Sequence, residues 1–341
     1  MSLGDLFYTV ASMGGRAFAA GFVMCFFALP LDFSGRVPRR VEYAMLFLVV
    51  FRLLCPVSLS SRWSIFNVEL VRELEDLYSL ADTLDHYTGD YEVAIQGTDA
   101  YQEALDAGLT PEEDIPYAIC YIRDGEGRLR PPVTAREAYG RCLGVIWLVG
   151  VGLFGAYGLG SYLWLRRKVA TATWVEDNVY ETDRIRTPFI LGFRHPKIYL
   201  PLHLDGEQRR YVLCHEREHL RHGDHIAKAL VYALMCVHWF NWALWFYFYR
   251  MFSSVLEEAC DADTLGRLGE EAKAAYGEAL VHLSGRRGVT GAIPCAFGEG
   301  DTRERVKKVL RYRKPTAWGT VGALLLLAAA AVLTGTNAVG V

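Results

Sequence analysis

The sequence predicts an α+β protein, a polytopic α-helical membrane protein that carries one folded domain outside the bilayer. Three observations support this fold class. Four long apolar runs, each near the length that crosses a bilayer, interrupt the 341-residue chain. A charged segment of helix-forming composition, 208–224, contains the pattern H-E-x-x-H. Short runs with strand composition and turn signals precede it within residues 169–314, which are therefore predicted to form the folded domain.

The apolar runs set the predicted domain boundaries. Residues 1–61 hold two candidate spans, Phe7–Leu31 and Val41–Ser60, joined by a short basic loop. The third span lies in 141–168, and residues 315–341 hold the fourth span with a short tail. Each run is long enough to cross the hydrocarbon core as a helix, so we expect the lipid bilayer to be a partner of the chain.

Arg52 lies near the centre of the second candidate span. A charge at that depth is costly and normally faces other helices or water. The alternative is a shifted span whose arginine reaches the membrane interface. The sequence leaves both possibilities open.

Charge predicts the orientation of the spans. Basic clusters follow the first span, follow the third span and precede the fourth, and such clusters mark the cytoplasmic side. Residues 62–140 instead hold 17 acidic and 6 basic residues, a net charge of −11, so this segment and both termini are predicted to lie outside. The segment could fold as a small helical cap that contacts a partner or a second copy of the chain, which would make a homodimer. Because the basic clusters flank spans, they do not predict nucleic-acid binding.

The H-E-x-x-H pattern predicts a metal site. His215 and His219 are four residues apart, so on a helix they share one face. Two neutral imidazoles, a carboxylate and an open position for water suit Zn²⁺. Zinc lowers the pKa of bound water to about 7, and Glu216 beside the histidines could then act as general base.

The third ligand is predicted in a second segment of helical composition. Glu257 and Asp261 would share a face, so Glu257 could bind the metal while Asp261 supports a ligand histidine through its second ring nitrogen. Glu258 points about 100° away and is the weaker candidate. Cys260 could also reach a metal but faces differently again.

Four short strands are predicted before the metal helix, at Thr171–Val175, Val179–Thr182, Phe189–Phe193 and Lys197–Leu200. Arg194-His195-Pro196 resembles a hairpin turn between the last two. The nearby prolines favour an edge position, because proline cannot donate a hydrogen bond within a ladder. An exposed edge can accept an extended peptide as an added strand. The residues predicted to do so are Phe189, Ile190, Leu191 and Gly192.

The apolar run Ile226–Phe252 resembles a further span. A straight helix of that length is roughly 40 Å long and would carry Glu257 away from His219. Either Glu257 is not a ligand, or the run bends back or lies along the membrane, and we predict the second. His238 and Asn241 within it either mark a bend or are satisfied interior polar groups.

The chain also resembles a known family, the regulatory membrane zinc metallopeptidases of the BlaR/MecR type, which are beta-lactam-responsive antirepressors. Each fragment alone is weak, but the combination is specific and involves nearly the whole chain. The matching motifs are Arg52-Leu53-Leu54 with Pro56, TPFILGFRHPKIYLP (187–201), HEREHLRHGDH (215–225), VHWFNWALW (237–245), EEACDADTL (257–265) and RVKKVLRYRKP (305–315).

The resemblance implies a zincin-like (gluzincin) domain on the cytoplasmic side of a bacterial cell membrane. It implies a protease that an outside signal activates to cleave a cytoplasmic protein, a DNA-binding repressor. It implies zinc ligands His215, His219 and Glu257, the catalytic base Glu216, and supporting residues Asp261, Asp224 and Arg221. Proteases of this type are thought to process themselves, and the basic loop 284–291 offers Arg286 and Arg287 as a self-cleavage site.

One departure from the resemblance concerns the signal. Beta-lactam receptors of this type carry a penicillin-binding sensor after the last span, and the sequence has no S-x-x-K acylation motif. We therefore expect a protease whose signal is not sensed by such a domain within this sequence.

Two other functions remain open. A housekeeping membrane protease would share the same motifs. A catalytically silent receptor would keep zinc as a structural strut and would need a fourth protein ligand, for which Cys260, His222 and His225 are candidates. The presence of Glu216 favours catalysis, because a structural site needs no base.

Overall fold

A computed structural model of the chain describes residues 2–34, 39–54, 64, 67, 91–111, 116–132, 134–242, 244–284, 302–314 and 316–335. The chain divides into two compact units, residues 1–12 with 76–148 and residues 13–75 with 149–341. Its elements in chain order are α1 (Leu3–Ser34), α2 (Arg39–Leu54), β1 (Glu92–Ile95), α3 (Asp99–Asp106), β2 (Ala118–Arg123), β3 (Leu129–Arg130), α4 (Ala135–Lys168), β4 (Thr173–Glu176), β5 (Val179–Thr182), β6 (Phe189–Leu191), β7 (Lys197–Pro201), α5 (Gly206–His222), α6 (Asp224–Val237), α7 (Tyr249–Leu268), α8 (Lys273–Ser284), α9 (Thr302–Arg311) and α10 (Ala317–Gly335).

The described part of the acidic segment is a small sheet with one helix, so the expectation of a helical cap is wrong. Strands β1, β2 and β3 form an antiparallel sheet in that order. Helix α3 packs on it around a core of Ala94, Tyr101, Ala104, Ile119 and Tyr121.

The turn between β2 and β3 explains why this segment forms strands. The Asp124 carboxylate accepts hydrogen bonds from the backbone N–H groups of Glu126 and Arg128. Gly127 has φ +81°, a conformation that favours glycine. Asp-Gly turn chemistry is a hairpin signal, and the acidic composition obscured it.

Two described helical segments are long and apolar enough to cross a membrane, Glu137–Lys168 and Ala317–Thr334. They coincide with the third and fourth predicted spans. The apolar part of α2, Ala44–Leu54, is shorter, and part of the second predicted span lies outside the described residues. The first two spans and the orientation of all four remain predictions.

Arg52 faces other helices. Its side chain is buried, and its Nε donates to the backbone carbonyl of Thr334 at 2.6 Å. Thr334 lies in the last turn of α10, where carbonyl groups lack helical partners and the helix dipole favours a cation. The arginine thus packs against another helix, at the end of the fourth predicted span, and its depth in the membrane stays a prediction.

The largest apolar core of the second unit forms where α2, α6, α7 and α10 meet. Its buried side chains include Val49, Val231, Met235, Phe252, Leu256 and Ala323. This core holds α6 and α7, which both contribute to the site described below, against helices that precede and follow them in the chain.

Beside these helices lies a four-stranded sheet in the order β4-β5-β7-β6. Strands β5 and β7 are parallel, and β6 pairs antiparallel with β7 at one edge. The edge position of β6 was predicted from the prolines around it. Helix α5 packs on the sheet through buried Val212 and Leu213, which contact Val179, Ile198 and Leu200.

The run Ile226–Phe252 is interrupted rather than straight. Helix α6 ends at Val237, a turn follows, and a π-helical turn, Leu244–Phe248, leads into α7. The Asn241 side chain accepts a hydrogen bond from the backbone N–H of Leu244 at 3.2 Å. The chain bends there, as predicted, and Glu257 returns towards His219.

Candidate metal centre

Helix α5 positions the two histidines of the H-E-x-x-H motif. Asp205 caps its first turn by accepting a hydrogen bond from the backbone N–H of Gln208, and Gly223 ends it with φ +73°. One helical turn separates His215 and His219, so both rings lie on the same face. Their Nε2 atoms are 3.1 Å apart and both side chains are buried.

Glu257 of α7 completes a set of three donors. Its Oε2 lies 3.4 Å from Nε2 of His215, and its Oε1 lies 3.5 Å from Nε2 of His219. Zinc bonds of about 2.0–2.1 Å place tetrahedral ligand atoms roughly 3.3 Å apart. The spacing and chemistry of the three donors therefore fit one zinc ion.

Each histidine is oriented by a carboxylate at its other ring nitrogen. Nδ1 of His219 lies 2.5 Å from Oδ2 of Asp224, and Nδ1 of His215 lies 3.2 Å from Oδ1 of Asp261. Such contacts hold the Nδ1–H tautomer, which leaves the Nε2 lone pair for a metal. Gly223 makes the contact between His219 and Asp224 possible, because its left-handed conformation turns the chain and brings Asp224 back to the His219 ring.

Arg221, the third predicted supporting residue, does not join this cluster. Its side chain is half exposed and donates to Glu218 at 2.7 Å instead of to the metal donors or their carboxylate partners. Glu218 is buried and also pairs with Arg267. Arg221 and Arg267 thus neutralise a buried carboxylate of the metal helix.

Two residues that the sequence reasoning missed, Arg305 of α9 and Tyr276 of α8, complete the centre. The buried guanidinium of Arg305 donates to Oε2 of Glu257 at 2.9 Å and to both Asp261 oxygens at 2.8 and 2.9 Å. The Tyr276 hydroxyl donates to Oδ1 of Asp261 at 2.6 Å and lies 3.0 Å from Nδ1 of His215.

A weak sequence signal existed for Arg305. It lies four residues before Val309, and both are buried, so the arginine occupies the apolar face of an otherwise charged helix. An arginine at such a position needs a buried anionic partner. No comparable local signal distinguishes Tyr276.

The Arg305 charge determines the ionisation of this cluster. Burial alone would raise the pKa of the Glu257 and Asp261 carboxyl groups. The neighbouring positive charges and hydrogen bonds, with Arg305 the largest of them, together outweigh burial and hold the pKa of both groups below its ordinary value. Both residues are therefore carboxylates at neutral pH, the form that a metal and its histidine ligands require.

Within the described residues, the donor set has no fourth protein ligand. Three groups of donors among the described residues could hold an ion: His215-His219-Glu257, His219-Asp224-Cys260 and Glu218-His222-Asp263. Of these, the first includes both histidines of the H-E-x-x-H motif. Cys260 contacts Nδ1 of His219 and Asp224, so it lies on the other side of the ring from Nε2, and burial raises the pKa of its thiol to about 12. His222 pairs with Asp263 at 2.8 Å. A position open to water is the arrangement of a catalytic rather than a structural zinc site.

The donors open onto a cavity of about 630 Å³. Glu216 lines it next to the histidines, and in the described part of the chain no hydrogen bond or ion pair engages its carboxylate. The edge strand lines another wall through Phe189, Ile190, Leu191 and Gly192. His225 lines the cavity as well, and its buried Nδ1 has no partner among the described residues.

The predicted self-cleavage site, Arg286 and Arg287, lies outside the described residues.

The family described as BlaR1 peptidase M56 matches residues 16–309 of the chain. No curated protein matches it. The matched range contains every residue of the centre, from His215 to Arg305. Members of this family are membrane-associated, metal-dependent peptidases. The chain therefore belongs to the BlaR1 peptidase M56 family.

Proposed function

We propose that this protein is a membrane-anchored zinc endopeptidase of the regulatory type, which hydrolyses peptide bonds of a cytoplasmic protein. The single observation that carries the proposal is the open set of three donors, His215, His219 and Glu257, beside the unengaged carboxylate of Glu216. When bound, zinc supplies a Lewis acid and lowers the pKa of water to about 7.

The residues of the chain have distinct tasks in this reaction. Glu216 takes the proton of the attacking water and delivers it to the leaving amine. Asp224 and Asp261 hold the ligand imidazoles in one tautomer. Arg305 keeps Glu257 and Asp261 ionised.

The substrate backbone has a place to bind at the edge of the sheet. Strand β6 pairs only with β7 in the described sheet, and its residues line the cavity that holds Glu216. An extended peptide could add to this edge through main-chain hydrogen bonds, which are independent of sequence. The scissile bond would then lie next to the donors.

The regulatory role is supported by family membership and by charge. Basic residues flank the two described segments that could cross a membrane, which favours a cytoplasmic centre in a multi-pass bacterial membrane protein with both termini outside. A cytoplasmic substrate is then accessible, and a DNA-binding repressor is the class that the family implies. Cleavage at Arg286 and Arg287 would be a second, internal reaction of the same site.

The test uses the full chain purified in detergent, with zinc content and proteolysis measured together. Glu216→Gln should retain about one zinc per chain and lose cleavage, whereas His215→Ala should lose zinc. Glu258→Gln is the matched control, because Glu258 is also a buried carboxylate but pairs with Lys308 and Ser254. Full activity in Glu216→Gln would contradict the assignment of the base.

The substrate class can be tested with the same variant. Glu216→Gln in cells should trap the natural substrate, and we expect one or a few cytoplasmic regulators of transcription. Capture of many unrelated unfolded proteins would favour a housekeeping protease. Retention of zinc without any cleavage by the unmodified protein would favour the silent receptor.

A further inference from the structure

A second group of metal-ligating side chains lies between α5 and α7, apart from the centre described above. It consists of Glu218 and His222 on α5 and Asp263 on α7, whose donor atoms lie within 4.8 Å of one another. Glu218 and His222 are four residues apart, so they share a face of the helix. The group repeats the plan of the first centre, with two donors from α5 and a carboxylate from α7, and shares no residue with it.

Glu218 is the most deeply buried member of this group, with a side chain only 1% exposed. Its Oε1 accepts from Nε of Arg267 at 2.5 Å and from Nη1 of Arg221 at 2.7 Å. Its Oε2 is buried and has no hydrogen-bond partner among the described residues. Buried polar atoms are normally satisfied, because leaving one without a partner costs free energy. A cation at Oε2 would supply the missing partner.

His222 and Asp263 make the group accessible. Nε2 of His222 lies 2.8 Å from Oδ2 of Asp263, and the two side chains are 11% and 28% exposed. None of the three donors lines the cavity that holds Glu216. An ion would therefore reach this group from solvent without passing the first centre.

The donor chemistry suits Zn²⁺, because one imidazole and two carboxylates are zinc ligands. Zinc bonds of about 2.0–2.2 Å place ligand atoms roughly 3.3 Å apart, so small side-chain rotations would close the three donors on one ion. The arginines do not prevent this, since a ligating carboxylate is commonly hydrogen-bonded as well. Arg221 and Arg267 are both about half exposed, so water screens their charge, but they make the second group the weaker of the two.

We propose that Glu218, His222 and Asp263 bind a second zinc ion, more weakly than the first centre, and that this ion fastens α5 to α7. These two helices carry all three donors of the first centre, so the second ion would stabilise the packing that brings those donors together. The inference goes beyond the proposed function, because it does not depend on cleavage of any substrate.

The test counts zinc in the full chain, purified in detergent and dialysed against buffers of fixed free Zn²⁺. The unmodified protein should hold about one zinc per chain at nanomolar free Zn²⁺ and about two at tens of micromolar. His222→Ala and Asp263→Asn should keep the first zinc and lose the second. Removing even an outer partner of a ligand costs about tenfold to a hundredfold in affinity, so removing a ligand should weaken the second zinc by at least about tenfold.

His282→Ala provides the matched control for His222→Ala. It removes an exposed imidazole of α8 that does not belong to the group. This variant should still take up the second zinc with unchanged affinity.

A variant without the first centre separates the two ions. His215→Ala removes a donor of the first centre and leaves the second group intact. It should bind about one zinc at micromolar free Zn²⁺, and that zinc should raise its Tm, because the ion binds only the folded form. Adding His222→Ala should remove both the binding and the rise in Tm.

Three results would overturn the inference. The first is an unmodified protein that takes up no second zinc, in which case water satisfies Oε2 of Glu218. The second is a second zinc that His222→Ala and Asp263→Asn do not weaken. The third is an equal loss in His282→Ala. Failure of the proposed function is separate, because it is decided by cleavage in Glu216→Gln, a variant that leaves the second group unchanged.

Discussion

Replacing Arg305 with Met tests whether this one guanidinium stabilises the two buried carboxylates that it contacts, Glu257 and Asp261. Methionine has a similar length without the charge. The side chains of Arg305, Glu257 and Asp261 are only 6%, 5% and 6% exposed. The variant removes the one cation that contacts both buried carboxylates, and Glu257 keeps only the longer contact to Lys228 Nζ, at 3.4 Å from its Oε1.

The loss in the free energy of unfolding follows from this burial. Removing one partner of a buried ion pair costs about 3–5 kcal/mol, because the remaining charge stays in an apolar surrounding. Lys307→Met is the matched control on the same helix, since Lys307 pairs with Glu304 and both are about half exposed. Such a surface pair contributes about 0–1 kcal/mol. At roughly 2–4 °C per kcal/mol, the Tm loss is about 6–20 °C for Arg305→Met and at most about 4 °C for Lys307→Met.

The assay is thermal unfolding of the full chain in detergent, with a chelator and then with zinc. Zinc should stabilise Arg305→Met more than the unmodified protein, because the dication replaces part of the missing positive charge and binds only the folded form. A Tm loss with chelator no larger than that of Lys307→Met would refute the reasoning. So would an equal gain from zinc in all three proteins.

Three other predictions concern the membrane orientation, self-cleavage and the signal. A cysteine at position 95 should react with an impermeant thiol reagent from outside and one at 287 should not; outside labelling at 287 would contradict the predicted orientation. Replacing both Arg286 and Arg287 should remove any fragment that depends on Glu216 and matches a cut there, and an unchanged fragment pattern would exclude this site. Exchanging residues 65–135 for an inert linker that preserves insertion should uncouple cleavage from its inducer, if movement of this segment shifts the equilibrium between two states. Induced cleavage that survives the exchange would locate sensing in the spans or in a partner protein.

The sequence by itself identified residues whose relation is local. His215 and His219 share a helical face because they are four apart, and the same spacing joins Glu257 to Asp261. The strands β5 to β7 followed from alternating composition and proline positions, and the bend near Asn241 from the requirement that Glu257 reach His219.

Only the tertiary structure decided which helices meet. Arg305 lies 90 residues and Tyr276 61 residues beyond His215, and no local pattern connects them to it. Arg221 has the same charge as Arg305 and lies next to the H-E-x-x-H motif, yet its side chain pairs with Glu218 and not with Glu257 or Asp261. Helical periodicity determines which residues share a face, whereas burial across the whole chain determines what that face contacts.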